Sequence, residues 1–242
     1  MGFQADYRKL EDRMRRLAEL EGNIFLPNLE PKEAAKYVLI CMEPSLGRWA
    51  RSRKEAREKI EAGFRNFISS IGDFILHYCV RNYLCHSLEG YHITDLSKGA
   101  MKTKKADHER FKRYDNWYTL LMDEIALIAS PNAHFFAVGK KVFDYLGKKR
   151  FPFPLTYIIH YSDQAAKARN AAIKGREKCF QAFAETVALN DILSVARQVL
   201  KENSVSKEIF ELIISDLAKK NLTVSRKKLI FSYKIAFESV LS

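Results

Sequence analysis

Cysteine is scarce in this chain of 242 residues, and the four that occur (Cys41, Cys79, Cys85 and Cys179) form no CxxC pair and have no histidine at zinc-binding spacing. A zinc ribbon and a disulfide framework are thereby excluded. The expectation is reduced, mostly buried thiols in a cytoplasmic protein, with no metal and no cofactor. No run of about 18 apolar residues exists, so no membrane-spanning helix is expected. The opening stretch MGFQADYRKLEDRMRRL is charged and helical, unlike a signal peptide, and Asp6 stands where a myristoylation signal carries Ser or Thr. Its acids Asp6, Glu11, Asp12, Glu19 and Glu21 also make it a poor membrane-surface helix. There is no internal repeat and no low-complexity segment. A phosphate-cradling glycine loop and an aspartate cluster are both missing, which argues against a nucleoside hydrolase or a phosphoribosyl-type transferase.

What the chain does have is apolar bulk and positive charge. Hydrophobic residues make up 47% and aromatics 12%, enough for a substantial core. Lys and Arg number 41 against 29 acids, a formal charge of +12, which points to a polyanionic partner, DNA or RNA first. Two basic stretches stand out. Residues 47–59 carry Arg48, Arg51, Arg53, Lys54, Arg57 and Lys59, and residues 98–113 carry Lys98, Lys102, Lys104, Lys105, Arg110, Lys112 and Arg113.

The apolar pattern predicts strands at 37–42, 91–96, 133–139 and 155–162. Helical patterning covers 4–21, 51–84 with joints at Gly63 and Gly72, 115–129 stopped by Ser130-Pro131, and most of 164–242. Strands alternating with helices predict parallel βαβ units, hence a three-layer α/β/α fold with a central four-stranded parallel sheet and helical N- and C-terminal additions. The expected division is an α/β domain over 1–179 and a helical extension over 180–242. Ligands of such sheets bind beyond the carboxyl ends of the strands. Three of the four predicted strands end in chemistry-bearing side chains, Glu43, Asp95 and His160, and the other ends in Gly139, which opens a helix.

Four features together resemble the uracil-DNA glycosylase superfamily over about residues 35–175. They are CMEPSLG (41–47), ITD (93–95), VGKKVFDYL (138–146) and HYSDQA (160–165). The match departs from the usual pattern at Cys41, where the family has Gly, and at Tyr161, where it has Pro. The resemblance implies glycosidic C–N cleavage through an oxocarbenium-like sugar. Glu43 would orient or deprotonate a water and face the sugar cation, on a turn fixed by Pro44. His160 would donate to O2 of the departing pyrimidine.

Asp95 falls where uracil-specific members read the base with Asn. An ionised Asp only accepts, which suits the exocyclic amine of cytosine and opposes O4 of uracil; if protonated, it could instead donate to N3. Ser45 replaces a bulky Tyr that closes off position 5 of the base in some members. Together they favour a cytosine substituted at C5, as phage genomes carry, which would make the enzyme a defence function. Uracil or another damaged pyrimidine, in repair, is the alternative. Trp49 or Phe64 would stack on the flipped base, with Trp49 preferred. Arg48, Arg51, Lys102, Lys104 and Lys105 would hold phosphates, along with Ser162, Lys167 and Arg169, and Gln164 would enter the gap left by the base. No lysine is placed to form a Schiff base, so a monofunctional enzyme is expected. A non-catalytic DNA-binding module on the same fold is the remaining alternative.

Overall fold

In YVLIC (37–41) the side chains point alternately to the two faces of a pleated strand, and all five are apolar, so the strand must be covered on both sides. In the computed structural model it lies inside a parallel sheet between two helical layers. The structure describes residues 2–31, 33–47, 49–85, 90–108 and 110–241, apart from the side chains of Thr103, Lys104 and Asp163. The chain begins with α1 (Phe3–Leu20), β1 (Ile24–Phe25), β2 (Ala35–Cys41), α2 (Arg53–Glu61) and α3 (Ile71–Cys79), which runs on into a π-helical turn at Val80–Leu84. Next come β3 (Tyr91–Asp95), β4 (Gly99–Ala100), α4 (Thr103–Ala106), α5 (Arg110–Ile128), β5 (Ala129–Val138), α6 (Lys140–Lys148) and β6 (Leu155–Ile158). A 3-10 turn at Asp163–Ala165 leads to α7 (Ala166–Ile173), α8 (Glu177–Thr186), α9 (Leu189–Glu202), α10 (Lys207–Ala218) and α11 (Val224–Leu241).

The main sheet has four strands in the order β3-β2-β5-β6, every neighbouring pair parallel, as the patterning predicts. Val38, Ile40, Phe135 and Ala137 face one layer, where Tyr114, Leu121 and Ile125 of α5 and Val142 and Leu146 of α6 cover them. Leu39, Cys41, Phe136 and Val138 face the other, where they share one core with α3, α9 and α11. The C-terminal helices are thus part of a sheet-covering layer, and residue 180 lies inside α8. Helix α1 lies against α5, burying Leu10, Met14 and Ala18 beside Trp117 and Leu120.

Several elements differ from the sequence expectation. Ser130-Pro131 ends α5, but the chain passes straight into β5 instead of a loop. Pairing jumps there from Ala35↔Ala129 to Tyr37↔His134, so Pro131 occupies an irregular stretch where a ladder N–H is not required. The helix expected over 51–84 is broken by a non-helical stretch from 62 to 70. Ser70 and Asp73 then form a reciprocal cap that restarts the chain as α3. Gly72 is no joint. A Cβ there would lie 2.7 Å from the Tyr161 ring, so the glycine lets that ring seat against α3. Strand β6 ends at Ile158, which puts His160 two residues beyond the strand. The short ribbon β1-β4 was not expected. It pairs Ile24 with Ala100 and continues into a bridge between Ser45 and Met101, tying the loop after β2 to the segment after β3.

A buried polar network joins α5, β3 and the loop after β1. Glu124 is fully buried and accepts from Lys98 Nζ (2.7 Å), Thr94 Oγ1 (2.8 Å), Tyr7 Oη (3.2 Å) and Asn28 Nδ2 (3.5 Å), with His92 Nε2 at 3.3 Å. Burial alone would raise the Glu124 carboxyl, but Lys98 and His92 outweigh it and bring it down to about 2. In sequence Lys98 belongs to the basic stretch 98–113. Yet it is 2% exposed and also donates to Thr94. Replacing Lys98 by Ala strands the Glu124 charge in the core, and a loss of about 3–5 kcal/mol is expected. Urea unfolding of Lys98→Ala beside Lys102→Ala checks this, since the exposed Lys102 should cost almost nothing.

Candidate active site

Cys41 of β2 is level with Asp95 of β3, and Val138 of β5 with Ile158 of β6. The carboxyl ends of all four strands therefore form one rim. Glu43 follows β2, Asp95 closes β3 and His160 follows β6, so the three residues picked out by sequence do stand on that rim. Each is held differently.

Glu43 turns toward α5. Arg110 donates to Oε1 from Nε (3.1 Å) and Nη2 (2.7 Å), Tyr114 donates to Oε2 through its hydroxyl, and Arg113 Nη2 lies 3.8 Å from Oε2. With its side chain only 4% exposed, the carboxylate is met by two guanidiniums and a phenol. It cannot act on a water in this arrangement unless one of those partners moves. Arg110 and Tyr114, four residues apart on one face of α5, were not singled out in the sequence as site residues.

Asp95 points to the opposite helical layer and is 3% exposed. Asn66 donates to its Oδ2 at 2.6 Å, and Asn66 also donates to Asn28 Oδ1 at 3.4 Å. Asn28 in turn donates to Thr94 at 3.1 Å, which links Asp95 to the Glu124 network. Burial pushes the Asp95 carboxyl up to about 8, against the opposing pull of Lys98 and Asn66. Of the two states of Asp95 that the sequence leaves open, this upward shift favours the protonated acid at neutral pH. Asn28 and Asn66 had no motif to mark them. Their only signal was an amide in a largely apolar stretch, in FLPNL and FRNF.

His160 is half-buried, its ring stacked on Tyr161 with centroids 4.6 Å apart. The Ser162 N–H donates to Nδ1 at 3.0 Å, which leaves the ring proton on Nε2. Burial, helped by Arg110 and Arg169, lowers His160 to about 4, so the imidazole is neutral at pH 7. Gly139 makes room for it. Its φ of +102° is a glycine conformation, and a Cβ there would come within 3.1 Å of the His160 Cβ.

The base-platform candidates Trp49 and Phe64 are stacked on each other, centroids 4.7 Å apart, and Trp49 Nε1 donates to the Ser45 carbonyl at 2.7 Å. Ser45 is exposed. Among the cations proposed for phosphates, Arg51, Lys102, Lys105 and Lys167 are exposed, as is the wedge candidate Gln164. Arg48 and the Lys104 side chain lie outside the described residues. Arg169 requires correction: it is 2% exposed and donates to the Ser162 carbonyl at 3.0 Å, so it braces the loop after His160 and does not reach a DNA backbone. Ser162 is tied at both backbone ends, its N–H to His160 and its carbonyl to Arg169. Among the described residues no group of His, Cys, Asp and Glu side chains could hold a metal ion, and no helix is long and apolar enough to cross a membrane.

The chain matches no protein-family model and no curated protein.

The raised Asp95 carboxyl makes stability depend on pH. Between the ordinary carboxylate range and about 8, the unfolded chain is ionised at Asp95 while the folded chain keeps its proton. The folded state then binds more protons, so this residue makes stability fall as pH rises through that window. Asp95→Asn removes the titration. Thermal unfolding is expected to show the variant gaining on wild type from pH 5 to pH 8, and a constant difference would contradict this.

Proposed function

We propose that this protein is a monofunctional DNA glycosylase that flips a pyrimidine out of the helix and releases it as the free base, leaving an abasic site. A cytosine substituted at C5 is the favoured substrate, which fits defence against modified phage DNA. The observation that supports the reading most is the proton inventory of the rim. A neutral imidazole with its proton on Nε2 and a neutral carboxylic acid stand at the ends of different strands of one parallel sheet.

In this reading the Nε2–H of His160 donates to O2 of the base as the glycosidic electrons move onto it. One such donor is typically worth about 10²–10³ in rate. Asp95 reads the Watson–Crick edge: its proton goes to N3, and Oδ2, already accepting from Asn66, has a second lone pair for the exocyclic amine. Water adds to the sugar carbon as the C–N bond breaks, and its proton passes to the Glu43 carboxylate. The exposed Ser45 leaves space beside C5. A neutral acid carries one donor and one acceptor, so it complements the edge of uracil as well as that of cytosine. The preference for cytosine consequently rests on Ser45 more than on Asp95. Repair of uracil or a damaged pyrimidine is the competing substrate choice.

Glu43 keeps its role as the carboxylate that faces the sugar and the attacking water, reached when Arg113 or Tyr114 is drawn away on DNA binding. The same ion pairs favour a second reading, in which Glu43 only braces α5 and the protein binds DNA without cutting it. Base release from oligonucleotides carrying uracil, cytosine or C5-substituted cytosines, including bulky hydroxymethyl derivatives, separates these. Abasic sites are revealed by alkali. Release from a substituted cytosine is expected, falling as pH rises past about 8 where Asp95 loses its proton. Glu43→Gln should bind DNA at least as tightly as wild type and be slower by about 10²–10⁴. DNA binding with no release from any base would leave the binding module standing and sink the enzyme.

A further inference from the structure

Beside the rim, on the side of α5 near the Glu43 ion pairs, lies a cavity of about 230 Å³ whose wall includes Asn23, Lys105, His108, Lys112 and Arg113. Its one acid, Glu21, takes hydrogen bonds from neutral donors: Trp117 Nε1 at 3.0 Å, Asn116 Nδ2 at 3.3 Å and Asn23 Nδ2 at 3.4 Å. Cations therefore dominate the wall, and Lys105 donates to a neutral acceptor, Asn23 Oδ1, at 3.4 Å. The cavity is fixed to the CMEPSLG loop. Met101, also in its wall, pairs with Ser45 and accepts the Leu46 N–H at 3.0 Å.

Arg113 belongs to both places. Its guanidinium is aimed by two backbone carbonyls, Ala106 (2.9 Å) and His108 (3.3 Å), while Glu43 Oε2 is 3.8 Å away, beyond hydrogen-bonding distance. Its buried Nε–H has no acceptor among the described residues. A half-buried guanidinium with an unused, buried Nε donor, loosely paired with a carboxylate and lining a cationic cavity, has the chemistry of an anion site.

We propose that this cavity seats a phosphate of the DNA backbone, and that the phosphate and Glu43 compete for Arg113. The inference rests on the glycosylase reading and adds a coupling to it. Docking of the backbone draws Arg113 off Glu43, so the carboxylate is released toward the sugar only when DNA is in place. Reciprocity requires that removing the Glu43 charge strengthen phosphate binding.

Two titrations test this on the full chain. Inorganic phosphate is followed by amide NMR shifts, and unmodified duplex DNA by its affinity across salt concentrations. Lys105 and Lys112 are both exposed, so Lys105→Gln/Lys112→Gln should fold normally, which an unchanged melting temperature confirms. The double variant is expected to bind phosphate at least tenfold more weakly. Its log K against log salt should be less steep by about 1, as the loss of one phosphate contact requires. Glu43→Gln should bind phosphate about fivefold or more tightly than wild type. Equal phosphate affinity in wild type and double variant overturns the seat. Weakened phosphate binding with an unchanged DNA slope overturns its assignment to DNA and gives the cavity to a free phosphoryl compound. An unchanged affinity in Glu43→Gln overturns the competition for Arg113. These failures are distinct from failure of the glycosylase reading, which would appear as no base release from any oligonucleotide by wild type.

Discussion

The ion pair between Glu124 and Lys98 is the constraint on which the rest of the rim depends. Both charges are withdrawn from water, and their mutual attraction together with hydrogen bonds from Thr94, Tyr7 and Asn28 offsets the desolvation. Such a pair tolerates little displacement, because losing either partner leaves an uncompensated charge in the core. It therefore fixes β3 against α5, sets the path of the chain just after β3, and orders Asn28. Through Asn28 and Asn66 the same network reaches Asp95, so the acid at the strand end is held from behind by side chains from three separate parts of the chain.

Two kinds of electrostatic environment meet at this rim. On the side of α3 and α11, burial dominates, and it keeps Asp95 and His160 neutral although one is an acid and the other a base. On the side of α5, opposite charges dominate, and Glu43 is held by Arg110, Tyr114 and Arg113. A flipped nucleotide placed between them would have its base against neutral donors and its sugar beside a paired carboxylate. That division fits a reaction in which negative charge grows on the base and positive charge on the sugar.

Much of this was legible in the sequence because it follows from period and order. Five consecutive apolar residues at 37–41, and strands alternating with helices, dictate a parallel sheet covered on both faces. A parallel sheet in turn brings residues as distant as Glu43, Asp95 and His160 to one edge. What could not be read was partnership. Glu43 is followed by a rigid Pro-containing turn, yet nothing in CMEPSLG says that its carboxylate will meet Arg110 and Tyr114 across the rim. Lys98 and Arg169 looked like surface cations because charge in a sequence carries no sign of burial; each is buried by contacts to residues distant in sequence or by the loop it braces. Pro131 stands just past the end of a helix, as its residue type suggests, but the register slip that admits it into β5, with residues 130–133 set against Lys36 alone, carries no local signal. The polarity of the Asp95 site went unread for the same reason: its proton is kept by the surroundings and not by the residue type.

The account stands or falls on the state of Asp95, since a neutral acid at this position is what lets the rim read and protonate a base at physiological pH. Carboxyl ¹³C NMR of the full chain, with the Asp95 signal assigned by its loss in Asp95→Asn, measures that state directly. The account predicts a titration midpoint near 8. A midpoint in the ordinary carboxylate range would mean that Asp95 is ionised at neutral pH, and the proposed base-reading chemistry would be contradicted.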